Sequence, residues 1–395
     1  MATYDLRRFS SAEGLKAISG KHLLAFLVPF REYFAGREMA LPTKPDALDY
    51  ERLVEILMAP ARDTPSDLSD GLFFVHEMAT VEGMDSLLEE ARIEGLRIED
   101  DANPSPADIA VQVWLQNRDI LERKHAEQFL TKPRSFEYFQ TEKDPVPEFV
   151  LPKAKATQAL ERELDDWFEE HKRGRGTRVF AYPREDSCWF LVRHGDPFKR
   201  EGSLDEGKPS SVYYRPEKFD VLVYDPKTGE IRMNARSKGE KDLYRRAFGL
   251  HIFGSADFFP GTSKYTLEPL RADGAASLVC TDVAGMDGVR LIEVRYAWGG
   301  KHNETETRQA DDIFEALAER EAQMPAKARI VRARFKVKFS DAKTPRTVTI
   351  KPSNIAQYQR DADSVLVERW LLNRGFVKAG KQETHAKTGA VLAGA

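Results

Sequence analysis

Cysteine is almost missing from this chain: Cys188 and Cys280 are two residues in 395. They lie far apart, with no Cys-x-x-Cys spacing and no His-x-x-x-His spacing to help them. A disulfide framework and a four-ligand zinc site are therefore excluded, and two reduced, buried thiols are expected. Long hydrophobic runs are also missing. The most apolar early stretch, Leu23 to Phe34, is broken by Pro29, Arg31 and Glu32, and it falls well short of the ~20 apolar residues that a membrane span needs. No apolar segment follows the N-terminal Met-Ala-Thr-Tyr-Asp-Leu-Arg-Arg, so no secretory leader is expected. The expected location is cytoplasmic, with no membrane partner. Phosphate-loop, dinucleotide-loop and nucleophile-elbow glycine motifs are absent. His76-Glu77 lacks the second histidine of a zinc-protease helix. There is no internal repeat and no low-complexity tract.

What the chain does have is enough apolar material for real cores. Hydrophobic residues make up 41% and charged residues 31%, against a net charge of −4. That balance argues against wholesale disorder and excludes a globally basic protein. A local basic patch remains open, because the local field decides binding. The length implies two or three domains.

The expected fold class is α+β. Residues 1–131 read as a helical domain. Ser10 and Glu13 have capping-box spacing. Pro29 should break the helix through Leu23–Phe34. Thr80 caps a helix ending near Gly95, and Ser105-Pro106 with Asp108 opens another. Residues 132–155, punctuated by Pro133, Pro145, Pro147 and Pro152, read as a connector. Residues 156–325 read as an antiparallel α+β domain, because the period changes from 3.6 to 2 and short turns join successive strands. Its expected strands include Cys188–Val192, Phe219–Tyr224, Leu278–Asp282 and Val289–Tyr296, with a helix over Ala310–Gln323. Residues 326–379 read as a small basic hairpin-plus-helix module, with a winged-helix arrangement as one possibility. Residues 380–395 read as a frayed tail. The five tryptophans are expected in cores.

The clearest chemical signal is a cationic strand. Val331, Ala333, Phe335, Val337 and Phe339 alternate with Arg332, Arg334, Lys336 and Lys338. In a strand the two sets face opposite ways, leaving cations ~6.6–7 Å apart along one face. The window 327–351 holds nine positive residues against Asp341 alone. Such a row suits phosphates along a nucleic-acid backbone. The competing reading is an edge strand protected by charge. The leading expectation is a non-catalytic binding or assembly subunit that contacts nucleic acid or another polyanion. A structural subunit meeting a protein partner is the alternative without nucleic acid.

Two enzymatic readings compete. Asp220 followed by Glu230-Ile231-Arg232 approximates the acid and Glu-x-Lys of a metal-dependent nuclease, which would need Mg²⁺. Asp282 followed by Glu293-Val294-Arg295 fits equally well. Otherwise no cofactor is expected. Separately, Leu191-Val192-Arg193-His194-Gly195 resembles the strand-end motif of the histidine phosphatase family. The resemblance implies a phosphoryl-accepting His194 with arginines holding the phosphate. It covers these five residues, and His251, His302 and His385 lack the context of that family's second histidine.

Overall fold

The computed structural model describes residues 6–61, 63–99, 104–205, 207–260, 263–352 and 354–378. The tail at 380–395 lies outside them. The chain divides into two compact units, Met1–Gln128 and Phe129–Ala395.

The first unit is helical: α1 (Ala12–Lys16), α2 (Gly20–Leu27), α3 (Arg31–Ala35), α4 (Tyr50–Leu57), α5 (Ser66–Met78), α6 (Val81–Ile93), α7 (Pro106–Gln116) and α8 (Arg118–Glu127). Local chemistry sets the boundaries. Pro29 forces a 3₁₀ turn between α2 and α3. Thr80 and Ser105 cap α6 and α7 by accepting from the Gly83 and Asp108 amides. At α1 the cap is Ser11, which accepts from the Gly14 amide. Ser10 instead donates to the Arg7 carbonyl, so the cap moves by one residue and the expected capping box with Glu13 does not form, because Gly14 takes its place opposite Ser11. The buried Asp108 carboxylate ties α7 to the start of α2. It accepts from the Ser19 amide at 2.8 Å and Gln112 Nε2 at 2.9 Å, and it meets His22 Nδ1 at 2.9 Å.

The second unit is built on one ten-stranded sheet. Its strands are β1 (Ser135–Gln140), β2 (Arg178–Pro183), β3 (Cys188–Gly195), β6 (Glu217–Asp225), β7 (Glu230–Met233), β8 (Met286–Gly299), β9 (Glu304–Gln309), β10 (Arg329–Phe339), β11 (Arg346–Lys351) and β12 (Ile355–Gln357). A separate hairpin, β4 (Lys199–Asp205) with β5 (Lys208–Tyr214), carries exposed Leu204 and Tyr213. The order across the large sheet is β2-β3-β6-β7-β1-β12-β11-β10-β8-β9, and its nine neighbouring pairs are all antiparallel. The fold is thus α+β with a large antiparallel sheet.

Helices α9 (Ala154–Glu170), α10 (Lys238–Phe253), α11 (Pro269–Ala272), α12 (Ile313–Ala318) and α13 (Arg360–Asn373) complete the unit. The two long ones, α9 and α10, cover one face over β2, β3, β6 and β7. Leu160, Leu164 and Phe168 pack there with Phe190, Leu222, Met233 and Phe248. α13 covers the opposite face farther along. Trp370 and Phe376 stand edge-on or tilted to Phe335, with ring centroids 5.2 and 5.7 Å away.

Several expectations change. The stretch 132–155 is more than a connector, because β1 within it pairs with both β7 and β12. Proline blocked the sequence pattern on either side of a strand only six residues long. No boundary falls near residue 325, since β10 pairs with β8 along nearly its whole length. The basic hairpin is therefore part of the same sheet, and a winged-helix module does not form. Leu278–Asp282 is a 3₁₀ turn followed by coil, not a strand. The hairpin partner of β8 is β9, whose Glu-Thr-Glu-Thr-Arg-Gln sequence has no apolar alternation because most of its side chains are exposed. The Ala310–Gln323 helix shortens to α12. Cys188 and Cys280 are free and buried, as expected, and burial pushes the Cys188 thiol up to about 12. Trp370 is fully buried, whereas Trp298 is exposed. No helix among the described residues is long and apolar enough to cross a membrane.

Candidate nucleic-acid interface

The cationic segment is a strand, and it lies inside the sheet between β8 and β11. Edge protection therefore does not explain its charges. The alternation holds from Ala333 to Phe339, where Ala333, Phe335, Val337 and Phe339 are buried. It slips at Val331, where the register against β8 shifts and Ile330 turns inward instead. Because Phe335 packs on α13, Arg334 and Lys336 must point from the other face. That face is the one α9 and α10 cover at the far end of the sheet. The rows Arg334–Thr349–Gln357–Ser135 and Ile355–Glu137–Met233–Leu222 run continuously across the registers. Over β8, β10 and β11 this same face carries polar side chains, of which Arg290, Lys336 and Thr347 are exposed while Glu293 and Thr349 are buried.

Acids distant in sequence answer part of the charge. Glu293 on β8 is opposite Arg334. Its carboxylate lies 2.6 Å from Arg332 and 3.1 Å from Arg334, and Gln309 donates to it at 2.8 Å. Burial alone would raise this carboxyl, yet these donors hold it below its ordinary value. Lys338 donates to the Ala342 carbonyl at 2.6 Å and lies 3.6 Å from Asp287. Arg346 pairs with Asp363 of α13 on the other face. The sequence window thus overstated the free charge, since it could not see acids folded in from elsewhere.

Lys336 is different. It is exposed, and the residue directly opposite on β8 is Arg290, also exposed. Neither has an ion-pair partner among the described residues. Two steps along the same face, past the Arg334–Glu293 pair, Arg332 is opposite Arg295. Like charges directly opposite in an antiparallel pair cost stability. Sequence reasoning missed Arg290 and gave Arg295 to a nuclease motif, although both lie within a stretch already read as strand. Alternation alone separates these two residues, and only the register shift between Arg334 and Phe335 brings both to one face.

The two enzymatic readings come apart geometrically. Asp220 and Glu230 are on opposite faces of the sheet. Asp220 is level with Val192 under α10, whereas Glu230 pairs with Lys264 at 2.6 Å. Burial raises the Glu230 carboxyl despite that lysine. The second pairing also fails: Asp282 binds Asn373 and Arg374, far from the arginines around Glu293.

The structure instead joins Asp220 to His194. His194 Nε2 lies 3.1 Å from Asp220 Oδ2, Tyr244 donates to the same oxygen at 2.8 Å, and His194 Nδ1 is 2.8 Å from the Gly195 carbonyl. Glu240 is close enough for the three side chains to share a cation. The donors present do not favour one. Arg173 and the Ser237 amide already occupy the two Glu240 oxygens, and the Arg173 guanidinium opposes a second cation. The Gly195 carbonyl and Asp220 already engage both ring nitrogens of His194. Phe168 stacks flat on the imidazole at 4.2 Å, which closes His194 to a phosphate ester. Tyr244→Phe should cost about 1–2 kcal/mol, the cost of a buried acceptor losing one of its donors. Urea unfolding at unchanged m would measure it.

No protein-family model matches the chain, and no curated protein matches it.

Proposed function

We propose that the chain is a non-catalytic nucleic-acid-binding subunit, and that the open sheet face over β8, β10 and β11 contacts the phosphate backbone. The observation carrying this reading is the cross-strand pair Arg290–Lys336, two exposed cations held opposite each other with no acid paired to either among the described residues. A fold gains nothing from that arrangement by itself, and an anion seated between them removes its cost. Arg295, Arg332, Arg334 and Lys338 extend the positive field around the pair, with Glu293 holding the arginine side chains in fixed directions. Contacts of this kind position a backbone and carry little base preference.

The test is a salt titration with fluorescent 20-nucleotide single- and double-stranded DNA and RNA. With about five phosphates neutralised, affinity should fall about 500-fold for duplexes and about 100-fold for single strands between 50 and 200 mM salt. A salt-independent affinity, or no binding to any of the four at 50 mM, would sink the reading. Recovery of an acidic protein partner with no nucleic acid would replace it with the protein-partner alternative. The same pair gives a second prediction: Lys336→Thr should stabilise the free protein at low salt by about 0.2–1 kcal/mol while weakening binding. Urea melts at 10 and 500 mM salt would show the gain and its screening.

A further inference from the structure

The open face does not end at β11. Where it meets the N-terminal end of α10 there is a cavity of about 400 Å³, a size typical of small-molecule sites. Cations, carboxamides, apolar side chains and one acid, Glu137, line it. Arg236, Lys241 and Lys351 supply positive charge. Lys241 is matched by Glu137 at 2.6 Å, whereas Arg236 and Lys351 have no acid among the described residues. Asn234 and Gln357 offer carboxamides, and Gln357 already donates to Ser135 at 3.1 Å. Met233 and Ile355 provide apolar surface between them.

This lining matches a molecule with an anionic end and a flat, partly polar end. The geometry points to a nucleoside phosphate: the phosphate against Arg236 and Lys351, the base on Met233 and Ile355, with its edge facing the carboxamides. A plain anion would use only the cations, and an apolar ligand would strand them. The cavity is also continuous with the basic face, because Gln357 is joined through Thr349 to Arg334 in one cross-strand row. The same chemistry therefore has two sources, a free nucleotide or the terminal nucleotide of a bound strand. Only the second source rests on the proposed function above.

The experiment uses the full chain, fluorescent-labelled AMP, ATP, GMP and UMP, and 20-mers with and without a 5′-phosphate. At least one mononucleotide should bind with Kd under about 1 mM. The double variant Arg236→Glu/Lys351→Glu should weaken that binding about tenfold or more, whereas Lys336→Glu should leave it within about twofold. Thermal melts check that both variants fold. If 5′-phosphorylated strands bind more tightly than unphosphorylated ones and the double variant removes the difference, a strand end is the source. If the mononucleotide binds and that difference is absent, a free nucleotide is the source. The proposal fails if no mononucleotide binds under about 1 mM, if the double variant binds as well as the natural chain, or if inorganic phosphate competes as strongly as the nucleotide. Oligonucleotide binding that persists through such a failure leaves the sheet-face reading standing. Mononucleotide binding without oligonucleotide binding sinks the sheet-face reading and keeps the cavity.

Discussion

Replacing Arg290 and Lys336 together by glutamate is expected to weaken nucleic-acid binding about 100-fold or more at 100 mM salt. Each reversal removes a phosphate contact and adds a repulsion of similar size, so two reversals amount to about 2.7 kcal/mol or more. The slope of log affinity against log salt should become shallower by about two contacts. The variant exchanges a cation–cation pair on adjacent strands for an anion–anion pair at the same register, so it should fold about as well as the natural chain. Lys153→Glu with Lys155→Glu is the control. It carries the same change in net charge at exposed positions around the start of α9, and affinity should move by no more than about threefold. Fluorescence anisotropy measures all three proteins. Binding that survives the first double variant as well as it survives the control would show that the charge lies elsewhere.

The largest effect on stability is expected at Glu240. Its carboxylate completes the capping box of α10 with Ser237 and pairs with Arg173 inside the core. Glu240→Ala removes the cap and strands a mostly buried guanidinium, at a combined cost of about 3–5 kcal/mol. Arg173→Met with Glu240→Gln removes both charges and keeps a side chain at the cap, so it should recover most of the loss. Chemical denaturation followed by tryptophan fluorescence compares them, and a double variant as unstable as the single one would contradict the ion-pair account. The pH dependence has a definite sign. Burial alone would raise the Glu240 carboxyl, but the Ser237 amide and Arg173 hold it below its ordinary value of 4.5. Its contribution is therefore complete above that value and is lost as pH falls through the depressed folded value. Glu240→Gln should flatten the stability curve in that acid window.

Much of the helical unit was legible because its signals are local. A proline breaks α2, a threonine caps α6 and a serine–proline pair opens α7. The long strands β3, β6, β8 and β10 were legible from alternation. What failed was anything requiring a partner. β1 finds its partners only far along the chain, and β12, although it pairs with the adjacent β11, has three residues, too few to show an alternation. β9 lacks apolar alternation because its side chains face water. The candidate interface divided the same way. The row of cations was visible along β10, but Glu293 and Arg290 reach it only through the β8–β10 register. His194 and Asp220 were each singled out for a different chemistry. Their contact depends on the β3–β6 register, which places Asp220 level with Val192, two residues before His194.

The β1–β12 pairing also constrains how the second unit is assembled in time. Three residue pairs, Ser135–Gln357, Phe136–Ala356 and Glu137–Ile355, join the two halves of the sheet, reinforced by Asn354 donating to the Tyr138 carbonyl 216 residues away. Closing so long a loop is entropically slow and comes late in folding. A chain ending before residue 354 would leave β1 with β7 alone and an open strand edge in the middle of what should be a continuous sheet, a surface that invites pairing with a second molecule.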